Sequence, residues 1–259
     1  MAEIRQANCD DCGQVGVPVI IAGVQCGWRG QRDGRDFAKD NKGGRICMTC
    51  WDKYDREAKE QEIKRLREAR SREYLATVPE PYMDAKVSDA SSEIQEAVKR
   101  WEANKAMRFL YLGGSAGIGK TRVAWAIVIE NELGLINGEV KHPTMWIDMP
   151  VLGIELLGLS IQDRAQREGE ITKFDGILVL DDFGNEVPLV RRELYPVIQY
   201  RSQRSLRTVF TSEYSIEDLI LMEGYGQRWA SRIANGEYLF IDGPDHRLRE
   251  MTEADYGDD

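Results

Sequence analysis

Residues Gly114, Ser115, Ala116, Gly117, Ile118, Gly119, Lys120 and Thr121 spell Gly-x4-Gly-Lys-Thr between two apolar stretches, Phe109–Leu112 and Thr121–Glu130. This arrangement restricts the fold tightly, because the motif is functional only as a loop between a buried strand and the helix that follows it. Glycines at those positions let consecutive backbone N–H groups face an anion that side chains would block. A helix beginning at Lys120 adds its positive amino-terminal end. In such a phosphate-binding loop, Lys120 is placed to reach the β- and γ-phosphates and the Thr121 hydroxyl to bind Mg2+. The alternative, a Gly-rich turn of no chemical consequence, leaves Lys-Thr and both flanks unexplained.

A second signature lies downstream. Ile177–Leu180 is a run of four apolar residues ending in Asp181-Asp182. By itself this is a strand meeting a loop; after a phosphate-binding loop it reads as the acidic partner element, Walker B. Asp181 is then expected to hold Mg2+ through water, opposite Thr121. Asp182 is expected to orient or deprotonate an attacking water. Strands are predicted at Phe109–Gly113, Thr144–Met149, Ile177–Asp182, Thr208–Ser212 and Tyr238–Asp242, alternating with helical stretches. That order predicts a three-layer α/β fold around a mostly parallel five-stranded sheet, with the nucleotide at the strands' carboxyl ends.

All five cysteines fall within the first fifty residues: Cys9, Cys12, Cys26, Cys47 and Cys50. Cys9-x-x-Cys12 and Cys47-x-x-Cys50 supply four thiolates, the ligand set of a closed tetrahedral zinc site. The 34 residues between the pairs exceed the commonest ribbon spacing, and Gly-rich loops absorb the excess. So short a segment scarcely buries a core without a metal. A redox pair would not come doubled, and disulfides are disfavoured in a reducing compartment. Cys26 is expected to be a small buried residue, or else a substitute ligand.

The boundaries that follow are a zinc-ribbon-like domain at 1–50, a linker helix at 51–78, the nucleotide-binding domain at 79–250 and an acidic, unfolded tail at 251–259. Residues from Trp51 to about Ala76 are strong helix formers with interleaved charge and only a thin apolar stripe. The two prolines of Val78–Met83 end that helix. The net charge of −9 argues against a surface that attracts nucleic acid everywhere, though local basic patches remain possible. Arg191, Arg192, Arg201, Arg204 and Arg207 form one such cluster: either a path for single-stranded DNA or a solvated helix face. No run approaches the roughly 18 apolar residues needed to span a membrane. The first ten residues lack a signal-peptide layout. A cytoplasmic protein with no membrane partner is expected.

The phrases L-D-D-F-G-N-E, V-I-Q-Y-R-S-Q-R-S-L-R-T-V-F-T-S-E-Y-S-I-E-D-L and A-S-R-I resemble, in collinear order, the AAA+ domain of DnaC/DnaI-type replicative helicase loaders of bacteria and phages. That domain is similar in turn to the IstB-type transposition ATPases. The lead-in Pro79–Asp89 also resembles the stretch where the chain passes the adenine in those proteins, so the likeness covers about residues 79–250. The resemblance implies an AAA+ ATPase hydrolysing ATP, with Lys120, Asp182 and Arg232 catalytic. Arg232, in Ser231-Arg232-Ile233, would be an arginine finger for the neighbouring subunit's ATP, with Arg228 nearby; otherwise it is an exposed arginine in a surface ion pair. Arg247 matches the arginine after the last strand. Glu213 departs from the family, standing where Asn is usual; either Thr211 or Ser212 senses the phosphate, or hydrolysis is slow.

The implied partners are a hexameric replicative helicase, gripped by the zinc domain, single-stranded DNA, and further copies of the chain in a ring or spiral. The implied cofactors are ATP, Mg2+ and Zn2+. Two rival readings stay open. An IstB-like transposition ATPase would act on duplex DNA, but IstB-type proteins usually lack a four-cysteine amino domain. A nucleotide-switched adaptor would bind ATP and scarcely hydrolyse it.

Overall fold

A computed structural model describes residues 7–8, 15–21, 24–30, 37–39, 45–104, 106, 108–137 and 143–245, with side chains from Cys50 onward except Trp51, Tyr54, Leu135 and Leu189. Cys9, Cys12, Arg247 and the acidic tail, all singled out above, lie outside the described residues, as does the Cys47 side chain. The chain divides into two compact units, Met1–Arg70 and Ser71–Asp259.

The smaller unit is built from short antiparallel strands. β1 (Ala7–Asn8), β2 (Val15–Ile21) and β3 (Val24–Gly30) form one sheet, and β4 (Phe37–Lys39) pairs with β5 (Arg45–Cys47). β2 carries a bulge between Val19 and Ile20. Cys47 ends β5, and Cys50 lies in the first turn of α1 (Met48–Leu75). Residues 55–70 of α1 are exposed along every face, as the thin apolar stripe requires. Ion pairs at helical spacing, such as Lys59–Asp55 at 2.6 Å, support that solvated stretch; each contributes only a few tenths of a kcal/mol.

The larger unit is a three-layer α/β domain. In order it contains α2 (Ser92–Ala103), β6 (Phe109–Gly114), α3 (Lys120–Asn137), β7 (Thr144–Asp148), α4 (Met149–Gly158), α5 (Ile161–Lys173) and β8 (Ile177–Asp181). It continues with α6 (Pro188–Arg204), β9 (Thr208–Ser212), α7 (Ile216–Leu221), α8 (Gln227–Ile233) and β10 (Glu237–Ile241). The sheet runs β10-β6-β9-β8-β7, and every pairing is parallel. All five predicted strands are present, with ends shifted by at most a residue.

Parallel strands are covered on both faces, and the alternation of their side chains shows it. Phe109, Tyr111, Leu178, Leu180 and Phe210 pack with the buried residues of α4, α5, α6, α7 and α8. Leu110, Leu112, Val179 and Val209 face the other way, against α2 and α3. Tyr74, Leu75 and Val78 pack with Ala126, Ile129 and Leu133, so the last turn of α1 belongs to the core of the larger unit. Among the described residues no helix is long and apolar enough to cross a membrane.

Candidate nucleotide site

The strand order puts β6, which carries the phosphate-binding loop, between β10 and β9, with β8 next. The loop, the Asp181-Asp182 pair and the ends of β9 and β10 therefore meet at the carboxyl edge of the sheet. Gly114, Gly117 and Gly119 adopt φ of +143°, +74° and +93°. These are backbone conformations that side chains rarely tolerate. At Gly114 the need is also spatial, since a Cβ there would fall 1.8 Å from the Ile241 carbonyl oxygen.

Lys120 is buried, and its Nζ donates to the carbonyls of Gly114 at 2.8 Å and Ser115 at 2.7 Å, which folds its side chain back over the loop. The Thr121 hydroxyl donates to Asp181 Oδ1 at 3.0 Å, joining the two signatures read from the sequence. Asp181 is 7% exposed. Burial pushes its carboxyl above the usual range; hydrogen bonds from Thr211 and Thr121 act in the opposite direction, and Asp182 and Asp148 add to the rise. Asp182 has φ +57°, a left-handed conformation unusual for a residue with a side chain. Its N–H donates to Thr211 Oγ1 at 3.0 Å.

A hydroxyl and a carboxylate 3.0 Å apart are hard oxygen donors of the kind Mg2+ takes when nucleotide phosphates and water complete its shell. Thr121 and Asp181 therefore fit that ion. Among the described residues no group of three or more His, Cys, Asp or Glu side chains is placed to hold a metal. The zinc set depends on residues outside them.

Two carboxylates not anticipated from the sequence lie on the loop. Ser115 Oγ donates to Asp242 Oδ1. A Cβ at Gly117 would meet Asp245 Oδ1 at 1.6 Å, so Asp245 fills the space that glycine leaves. The lead-in segment runs along α3. Arg122 binds the Pro81 carbonyl at 2.8 Å and Asp84 at 2.9 Å, and Tyr82 stacks on Trp125 with centroids 6.0 Å apart.

The arginines separate into different environments. Arg191 is buried and donates to Glu186 and to the carbonyls of Gly184, Glu186 and Glu223. Arg201 is 0% exposed and donates to Thr208 and to the carbonyls of Phe174, Gly176 and Arg207. Arg207 lies over Trp101 and donates to the Glu102 carbonyl. The five arginines, open above between a path for single-stranded DNA and a solvated helix face, do not share one surface: Arg191 and Arg201 bind the protein's own carbonyls, and of the five only Arg192 and Arg204 are exposed. Arg232, on α8, lies over the Tyr195 ring and donates to the Arg228 carbonyl at 2.8 Å. Glu213 is exposed just beyond β9. Ser212 donates to the Phe183 carbonyl at 2.6 Å, which ties it to the turn after β8.

The fold is that of AAA+ domains of known structure. A structure of DnaI is 30% identical, over 66% of this chain and 95% of that one, with a TM-score of 0.50. DnaA from Aquifex aeolicus bound to AMPPCP is 14% identical, over 68% of this chain and 55% of that one, with a TM-score of 0.49. The DnaC helicase loader is 20% identical, over 64% of this chain and all (100%) of that one, with a TM-score of 0.49. No family model and no curated protein matches the sequence.

Proposed function

Because this chain belongs to the DnaC/DnaI-type family of AAA+ proteins, we propose that it binds and hydrolyses ATP to deliver a hexameric replicative helicase onto single-stranded DNA. The observation that carries the reading is the contact of Thr121 with Asp181 beside the glycine loop, in a chain 30% identical to DnaI. The backbone N–H groups from Gly114 to Lys120 hold the phosphates. Lys120 leaves the carbonyls of Gly114 and Ser115 to bind the β- and γ-phosphates instead. Thr121 and Asp181 hold Mg2+, which supplies positive charge against the phosphate oxygens. Asp182 orients the attacking water and accepts its proton. Arg232 reaches the ATP of the adjacent subunit in a ring or spiral, where its charge stabilises the transition state. Arg247, which matches the family's arginine after the last strand, contributes to nucleotide binding.

The four cysteines Cys9, Cys12, Cys47 and Cys50 bind zinc in the smaller unit, and that unit grips the helicase. Exposed Arg192 and Arg204 contribute to DNA contact. The protein acts in the cytoplasm. The test is a loading assay with the purified full chain and its host's replicative helicase on circular single-stranded DNA. ATP-dependent transfer of the helicase is the expected result. Absence of both complex formation and DNA-stimulated ATP turnover would remove the proposal. A nucleotide-switched adaptor is favoured by one observation, the exposed Glu213 where the family carries Asn; binding of ATP without turnover would select it.

A further inference from the structure

We propose that Thr211 is a positioning residue for the paired carboxylates, setting the side chain of Asp181 and the backbone of Asp182 through one hydroxyl. The regular pairing of β8 with β9 stops at Leu180↔Phe210. Beyond that point the two strands are joined by Thr211 in place of the ladder. Its hydroxyl donates to Asp181 Oδ1 and accepts the Asp182 N–H at 3.0 Å, and its carbonyl accepts the Phe183 N–H at 2.8 Å. One residue of β9 thus binds three consecutive residues of the turn.

A hydroxyl has one proton and two lone pairs, so donating and accepting at once is within its capacity. Among the threonine's alternatives, valine has the shape without the donor, and serine has the donor without the methyl. Thr211 is 0% exposed and pairs on its other side with Leu112 of β6, the strand that leads into the phosphate-binding loop. It therefore connects the loop strand to the Asp181-Asp182 turn through a short, buried path. The left-handed backbone of Asp182, at φ +57°, needs such a hold. Thr121 shares Asp181 Oδ1 at 3.0 Å. Once Thr121 turns to the metal, Thr211 is what keeps Asp181 in the same rotamer.

This inference rests on the nucleotide-hydrolysing reading above, and its test is chosen to separate the two. The full chain is compared as wild type, Thr211→Val and Thr211→Ser in three measurements. These are thermal melting, affinity for a fluorescent ATP analogue with and without Mg2+, and steady-state kcat and KM for ATP. For Thr211→Val the expected result is metal-free nucleotide affinity within about twofold of wild type, with the tightening by Mg2+ reduced roughly tenfold. Its kcat should fall by about 30- to 100-fold with KM little changed, the size expected when reacting groups are misplaced by a fraction of an ångström to an ångström. Thr211→Ser should stay within about threefold of wild type in every measurement, since the hydroxyl is what acts. A Thr211→Val protein with wild-type Mg2+ response and kcat would overturn the inference. So would a Thr211→Ser protein as impaired as Thr211→Val, because packing of the methyl would then be what matters. If Thr211→Val does not fold, Thr211→Ala takes its place: serine active with alanine inactive supports the role, and equal behaviour overturns it. If the wild type turns over no ATP, the hydrolytic reading fails, and the Mg2+ dependence of nucleotide affinity still decides the role of Thr211.

Discussion

Replacing Arg201 with methionine tests whether the basic residues of α6 serve DNA or the fold. The guanidinium is 0% exposed and donates at 2.9 Å to Thr208 Oγ1, 2.6 Å to the Phe174 carbonyl, 2.9 Å to that of Gly176 and 2.7 Å to that of Arg207. It fastens the segment entering β8 to the segment entering β9. Burial pushes its pKa down to about 10, with Asp175 opposing the shift, so it still carries its charge at neutral pH. Methionine fills much of the volume but donates nothing. The carbonyls of Phe174 and Gly176 then lose this donor, while that of Arg207 keeps the Leu178 N–H at 3.1 Å; each acceptor left unsatisfied costs about 1–3 kcal/mol before relaxation. Against this, the desolvation cost of the guanidinium, several kcal/mol in order of magnitude, is recovered. The net expected loss is roughly 2–5 kcal/mol, consistent with breaking a buried charged network. For a unit of this size that is a fall in melting temperature of about 5–20 °C. Arg201→Lys should recover little, because an ammonium cannot reach four acceptors in the plane of a fork. The assays are thermal melting and fluorescence anisotropy with labelled single-stranded DNA at a temperature where both proteins are folded. Unchanged melting with lost DNA affinity would refute the reasoning.

Three further outcomes are expected. Lys120→Ala should lose ATP binding and Arg232→Ala should bind ATP without turning it over. Mixing the two should restore part of the ATPase activity at interfaces that combine an intact loop with an intact finger; no recovery in a sample shown to co-assemble counts against action in trans. The full chain purified without chelator should contain one zinc per molecule by elemental analysis, lowered by Cys47→Ser and not by Cys26→Ser. Asp245→Asn should tighten ATP binding, because a carboxylate lies on Gly117 where phosphate must go. An effect of roughly three- to thirtyfold, shrinking as salt is raised, is expected for one charge near a hydrated site; unchanged or weaker binding would show that Asp245 does not oppose the nucleotide.

Much of the scaffold was legible because its signals are local. Strand β6 and helix α3 follow from apolar runs on either side of the glycine loop. The meeting of Thr121 with Asp181 follows from two motifs whose chemistry requires each other. The parallel sheet follows from the alternation of strand and helix. The arginines of α6 could not be sorted from the sequence, for a physical reason. Their spacing looks the same whether the helix faces water or not, and the acceptors of Arg191 and Arg201 are backbone carbonyls, which no side-chain pattern records. The same holds for Thr211, whose partner N–H belongs to the backbone of Asp182. Asp242 and Asp245 come close to the loop only because β10 lies beside β6, a neighbour relation set by strand order and absent from the linear sequence. Of the four proposed zinc ligands, Cys9 and Cys12 lie outside the described residues, as does the side chain of Cys47.

On the proposed function, the carboxylates over the glycine loop would make ATP binding an exchange. With Ser115 engaged by Asp242 and the space at Gly117 filled by Asp245, the loop already holds an anion that belongs to the chain. A tethered anion cannot be diluted; its effective concentration, roughly millimolar for a short connection, is set by the few bonds joining it to β10. The apparent dissociation constant for ATP is therefore the intrinsic one divided by the fraction of time the loop is open. Occupancy then depends on how far the nucleotide level exceeds a fixed internal rival, and the segment displaced in the exchange is the one that leads from the core sheet into residues 246–259.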